Sequence, residues 1–260
     1  MAVRLQPVKE EKVDSLRVRV YRSRDETGTA AGEAAAAKMK ELLAHKERIR
    51  VIFAAAPSQN EMLDALASDR DIEWPRVTAF HMDEYIGMPD GAPQAFGRYL
   101  RERLFDRVQP GRVHYIDGTN GIREECRRYE ALLKEAPIDI VCLGIGENGH
   151  IAFNDPPVAD FNDPLLIKPV ELDEVCRQQQ VNDGCFGSFG EVPTRALTLT
   201  IPALLSGAHL ICVVPGERKR QAVARTLRGP IVPDCPSSIL RNHPDCLLFL
   251  DEASFPVTER

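Results

Sequence analysis

Six short apolar runs constrain the fold of this chain most: Leu16 to Tyr21, Arg50 to Ala55, Val77 to Met82, Ile138 to Leu143, His209 to Val214 and Cys246 to Leu250. They are rich in Val, Ile and Leu, the pattern of strands buried on both faces. Between most of them lie longer segments of helical period, at Asp25 to His45, Pro57 to Ser68, Ala95 to Arg107, Gly121 to Glu135 and Glu217 to Leu227. That alternation predicts a three-layer, Rossmann-like α/β architecture, with a mostly parallel sheet and helices on both faces. No linker-like stretch divides the chain, so residues 1–260 read as a single domain.

Such sheets bind ligands at the carboxyl ends of their strands, near the switch in strand order. Three polar constellations follow strands: Ala54 to Glu61, His81 to Pro89 and Gly144 to Asp155. Pro156 to Pro193 has scattered prolines, glycines and polar residues in place of a period, and reads as a long loop with one helix around Glu171 to Val181. Loops of that length are lids, binding segments or plain insertions. A start directly after a site candidate favours a lid.

Charge and cysteine usage narrow the partners. A net charge of −6 works against non-specific nucleic-acid binding but leaves room for a local basic pocket. The N-terminal MAVRLQPVKEEKVDSLRV lacks the apolar core of a leader, and no apolar run approaches the roughly 18 residues of a membrane span. No nucleic acid, no membrane and a cytoplasmic location are expected. Seven cysteines, an odd number without a CxxC pair, fit a reduced compartment. Cys176 and Cys185 flank a polar stretch, but no histidine stands at ligand spacing from them, so no metal is expected.

Gly144, Gly146 and Gly149 let the backbone turn tightly and approach a ligand, although glycines alone equally fit a plain strand-to-helix turn. His150 adds a titratable imidazole within a few residues of Glu147, Asn148, Asn154 and Asp155, acceptors able to orient it. Asp83 and Glu84 are adjacent acids at a strand end, costly unless solvated or used. Neighbouring side chains diverge, so one can face the cleft as a base while the other serves the surface, a subunit contact or a helix cap. In AAAPSQNE, Ser58 and free N–H groups suit a phosphate, yet Ser58 to Glu61 also spells a capping box. Lys219, in PGERKRQAV, suits either a phosphate contact or a solvated helix face.

Taken together, VTAFHMDEYIGMP and LGIGENGHIAFNDP resemble the two signature segments of the glucosamine-6-phosphate deaminase (isomerase) family. The likeness extends, in the expected order, through VPTRALTLTI and the strand-GxxK-helix at Gly216 to Lys219. The related 6-phosphogluconolactonases share the fold and a GHxA-like turn, but AFND after His150 is similar to the deaminase form. The resemblance implies aldose-ketose isomerisation of glucosamine 6-phosphate, or a close amino-sugar phosphate, and loss of ammonia to give fructose 6-phosphate, without a redox or metal cofactor.

By the same resemblance, His150 with Asp155 opens the sugar ring, Asn148 orients His150, and Asp83 is the carbon base, ionised at pH 7 without special tuning. Lys219 and Ser58 hold the 6-phosphate, Arg177 closes over it from the lid, and Glu84, Gly146 and Gly149 complete the substrate-binding set. Homo-oligomers occur in the family, and the sequence leaves that state open. Asp155 stands where glutamate is usual, Asn148 where members have aspartate or asparagine, and Ala55, Ala56 and Pro57 replace a threonine- and glycine-rich turn. Two alternatives stand beside the deaminase: a 6-phosphogluconolactonase-like hydrolase or other phosphosugar isomerase, and a non-catalytic sugar-phosphate-binding regulator.

Overall fold

The structure, a computed structural model, describes residues 5–89 and 91–256; the first four residues of the N-terminal segment read above for a leader lie outside them. The strands run in chain order as β1 Lys9–Val13, β2 Leu16–Tyr21, β3 Ile49–Phe53, β4 Val77–His81, β5 Asp83–Tyr85, β6 Arg112–His114, β7 Ile140–Leu143, β8 Ile167–Glu171, β9 Arg195–Leu199, β10 His209–Val214 and β11 Cys246–Asp251. Eight form the main sheet in the order β1-β2-β11-β10-β7-β3-β4-β6. Every neighbouring pair in it is parallel except β1 with β2.

Chain order runs outward from β3 through β4 to β6 on one side and from β7 through β10 to β11 on the other. The switch point therefore falls between β3 and β7, where connections leave in opposite directions and a crevice opens at the carboxyl ends. Both strands are buried at every position, as the apolar runs predict.

Successive residues of a strand point to opposite faces, and here they feed two separate cores. Val51, Phe53, Ile140 and Cys142 pack with helices α1 Arg24–Leu43, α2 Asn60–Ser68 and α3 Phe96–Leu100. Ile52, Val141 and Leu143 pack on the other face with residues of α5 Ile122–Lys134, α7 Ile201–Leu205 and α8 Arg220–Arg228. A π-helical turn, Arg101–Phe105, joins α3 to the short α4 Asp106–Val108, so the segment read as one helix is continuous but irregular. Among the described residues, no helix is long and apolar enough to cross a membrane.

A second sheet was not legible in advance. Its order is β5-β9-β8, antiparallel throughout. β5 is three residues of Asp-Glu-Tyr, and β8 carries Pro169, which an edge strand tolerates because no inner neighbour needs its N–H. The segment 156–193 is thus not one loop: β8 anchors it, α6 Glu174–Asn182 crosses it, and the Leu172 N–H donates to the Thr194 carbonyl at its base (2.8 Å).

Candidate active site

The crevice at the switch point gathers residues from five segments: Ser58 and Gln59 after β3, Asp83 after β4, Gly144, Gly146 and His150 after β7, Gln179 and Gln180 on α6, and Lys219 before α8. Asp83, His150 and Lys219 therefore surround one cleft although they are far apart in sequence.

The turn after β7 is built around its histidine. The Gly146 N–H donates to the His150 carbonyl (2.9 Å), and the Gly149 N–H to the Gly146 carbonyl (3.0 Å). A Cβ on Gly146 would fall 2.1–2.4 Å from imidazole ring atoms, so only glycine lets the ring lie against this backbone. Gly149 has φ +93 and Cys235 Sγ lies 3.1 Å from where its Cβ would be. Gly149 itself does not line the cleft. It shapes the turn, and its expected substrate contact gives way to that backbone role.

Asp155 Oδ1 lies 2.9 Å from His150 Nδ1, so the shorter side chain still reaches the ring. The oxygen sits off the axis along which a ring N–H would point, and among the described residues Nδ1 makes no straight hydrogen bond. Asn148 acts on both partners: its Nδ2 donates to Asp155 Oδ1 (2.9 Å) and its Oδ1 accepts the His150 backbone N–H (2.9 Å). Asn148 stands behind the pair, outside the cleft lining. The Asp173 N–H donates to Asp155 Oδ2 at 3.3 Å. Burial alone would push the Asp155 carboxyl up, but the contact with His150 and the donated hydrogen bonds hold it below the ordinary range. Asp155 is thus a fixed carboxylate behind the imidazole.

Asp83 differs. It is 7% exposed, and its carboxylate has no hydrogen bond or ion pair among the described residues. Burial first and the neighbouring Glu84 second push its pKa well above the ordinary value. The expectation of a base needing no tuning does not hold, because a desolvated carboxylate favours its proton.

Glu84 leaves the cleft entirely. Its Oε1 accepts the N–H groups of Tyr85 (2.9 Å) and Phe96 (3.1 Å), and Oε2 accepts that of Gly97 (2.9 Å). The expected substrate contact is corrected to a cap on the first turn of α3, as the divergence of neighbouring side chains allows.

Lys219 is 7% exposed and its ammonium has no ion-pair partner among the described residues. Burial lowers its pKa. The approach is held by Gly216, at φ +98, whose N–H donates to both carboxylate oxygens of Asp251 at the end of β11 (3.0 Å each).

Two expectations for the phosphate end change. The capping box does not form: Pro57 initiates a 3₁₀ turn over Pro57–Gln59, α2 begins at Asn60, and Glu61 pairs with Arg24 at 2.7 Å. The Ser58 hydroxyl is left facing the cleft, with Gln59 Nε2 at 3.2 Å. Arg177 points away from the cleft. It donates to the carbonyls of Phe189 (3.0 Å) and Val192 (2.9 Å) and lies over the Phe189 ring, stapling the segment 156–193 to itself.

Sequence reasoning missed the glutamines. Gln180 is 8% exposed and lines the cleft with an amide that makes no hydrogen bond among the described residues. Gln179 accepts the Glu147 N–H (2.8 Å) and ties α6 to the histidine turn. The run Gln178-Gln179-Gln180 inside the helix of the segment after the histidine turn was the available signal.

Against this geometry, a model of the family described as glucosamine-6-phosphate isomerases/6-phosphogluconolactonase matches residues 22–248. The chain belongs to that family. Among its relatives in the isomerase/lactonase family is the glucosamine-6-phosphate deaminase of Exiguobacterium sibiricum, 35% identical over 214 residues, which cover 82% of each chain. That of Listeria monocytogenes serotype 4a is 35% identical over 204 residues, 78% of this chain and 85% of that one. The solved structure of a monomeric glucosamine-6-phosphate deaminase aligns with a TM-score of 0.83 and 30% identity, covering 91% of this chain and 98% of that one. A 6-phosphogluconolactonase from Thermotoga maritima aligns at 0.75 with 22% identity, covering 91% of this chain and all of that one, a likeness of fold.

Proposed function

We propose that this chain converts glucosamine 6-phosphate, or a close amino-sugar phosphate, into fructose 6-phosphate and ammonium. The observation that carries the reading is a single switch-point cleft holding an imidazole backed by a fixed carboxylate, together with a carboxylate and a lysine that have no ion-pair partner among the described residues. The named relatives support the choice of substrate.

Each group has a task suited to its surroundings. Lys219, with the Ser58 hydroxyl, holds the phosphate dianion, whose charge offsets the buried ammonium. His150 carries the proton between the anomeric hydroxyl and the ring oxygen, opening the pyranose, while Asp155 stabilises the charge that grows on the ring. Asp83 takes the C2 proton and returns it at C1, leaving an imine at C2. Water adds there and ammonia departs. Its raised pKa brings the base nearer the pH at which it works and so strengthens it.

Incubation with glucosamine 6-phosphate should release ammonia and fructose 6-phosphate in equal amounts. No release, with faster hydrolysis of 6-phosphogluconolactone, would replace this reading by the lactonase. Binding of the sugar phosphate without any turnover would favour the regulator. We place the reaction in the cytoplasm, where all seven free cysteines stay reduced.

Gly146→Ala tests the imidazole's placement. The added methyl must displace the ring it would overlap, and misplacement by about 1 Å costs on the order of 10²-fold in rate. A drop in kcat of that size with little change in KM is expected, read alongside an unchanged circular dichroism spectrum. Wild-type turnover would show that the ring's position is unimportant.

A further inference from the structure

We propose that His150, Asp155 and Cys176 form a site for a borderline-soft divalent cation, with Zn²⁺ as the fitting ion, and that its occupation reversibly inhibits the enzyme. Along the chain Cys176 has no histidine at ligand spacing. In space, a ring nitrogen of His150, a carboxylate oxygen of Asp155 and Cys176 Sγ all lie within 4.8 Å of one another, and all three residues are buried. Cys176 is fully buried in the body of α6, and His150 opens onto the cleft. A cation therefore has an entrance from the substrate side.

The donor set matches the ion. Sulfur with imidazole selects Zn²⁺ over Mg²⁺ or Ca²⁺, which take oxygen shells. A thiolate and a carboxylate together cancel the dication's charge, which a buried site requires. Binding releases the thiol proton to solvent as the Zn–S bond forms, with no change of oxidation state. Asp155 is already steadied by Asn148 and the Asp173 N–H, the outer support that metal-binding carboxylates use. Zinc bond lengths of about 2.0–2.3 Å place tetrahedral ligand atoms about 3.3–3.8 Å apart. Closure thus asks the widest-spaced of these atoms to draw in by no more than about 1–1.5 Å, while the His150 Nδ1–Asp155 contact, at 2.9 Å, has only to open slightly. The off-axis contact between His150 Nδ1 and Asp155 leaves no straight hydrogen bond to break. Three protein ligands leave the fourth position toward the cleft.

The inhibitory part rests on the role given to His150 above; cation binding does not. Co²⁺ serves as a spectroscopic probe on the intact chain in a thiol-free reductant. The wild type should take up one equivalent and show a near-ultraviolet thiolate-to-cobalt band, which Zn²⁺ bleaches and which Cys176→Ser lacks. Zn²⁺ should inhibit the wild type, with activity restored by a chelator. Cys176→Ser and Cys176→Ala should keep their turnover in the absence of metal and require at least about 100-fold more Zn²⁺ for inhibition. An identical cobalt band, or identical zinc inhibition, in the wild type and both variants would place the cation elsewhere and overturn the site. Absence of any band or inhibition in the wild type would overturn it equally. A Cys176-dependent band with activity untouched would uphold the binding site and reject the inhibition, and with it the role of His150.

Discussion

Asp83→Asn should lower kcat by about 10²–10⁴ and, in the same molecule, raise the melting temperature. The rate loss follows from removing the group proposed to take the C2 proton. The stability gain follows from the absence of any partner for its buried carboxylate among the described residues. An amide of the same shape has no charge to desolvate, and relief of an unpaired buried charge is worth about 1–3 kcal/mol, with each kcal/mol moving Tm by roughly 2–4 °C in a chain of this size.

The pH dependence has a definite sign. A carboxyl whose folded pKa is raised binds its proton more tightly in the folded state. Its contribution to stability is full below the unfolded value and is lost as pH rises toward the folded one. The stability gap between Asp83→Asn and the wild type should therefore widen from acid toward neutral pH. Thermal melts across that interval, with single-turnover rates, check both halves. A variant with a kcat near that of the wild type removes Asp83 from the base role, and a lower Tm at neutral pH contradicts its lack of compensation.

Lys219→Met should show the complementary split. Loss of a charge-assisted contact to phosphate, worth about 1.5–3 kcal/mol, raises KM by roughly 10- to 150-fold at about 1.4 kcal/mol per decade. The effect on kcat should be smaller, because the phosphate is remote from C1 and C2. Methionine fills the ammonium's place without needing water, so the free protein should melt higher, whereas inorganic phosphate should stabilise only the wild type. Unchanged KM would leave phosphate recognition to other groups.

The parts of this molecule legible in sequence are those whose physics is local and periodic. β2 and β10 occupy the positions their apolar runs give: β10 is buried at every position after its first, and β2 alternates, burying Leu16, Val18 and Val20 while Arg17 stays exposed, so each writes its environment into its sequence. β5 and β8 are illegible for the opposite reason: short, charged or proline-bearing, they become strands through pairing with β9. Site residues follow the same division. His150 and Asp155 are close in sequence and their contact could be read. The Ser58 capping box failed because Pro57 starts its own turn first, and Arg177 was misread because a guanidinium on α6 has nearby backbone carbonyls to pair with as readily as a phosphate. Glu84 differs from Asp83 by one position, and only the backbone N–H groups of Phe96 and Gly97, brought there by tertiary structure, decide which acid stays free.

The hydrogen bond joining Leu172 to Thr194 closes the neck of the segment that carries α6. The cost of closing a loop depends on where its ends are held and only weakly on its length. Here the ends belong to β8 and β9, not to the helix between them. The stretch from 174 to 193 is therefore an exchangeable cassette: it can be rewritten to present other side chains to the cleft while Asp83, His150 and Lys219 stay on other segments. Two residues limit that freedom: Gln179 within it, which accepts the Glu147 N–H of the histidine turn, and one residue just outside it. Asp173, whose N–H reaches Asp155 and whose carboxylate accepts the Val175 N–H at the head of α6, is the latch that any transplanted cassette has to keep.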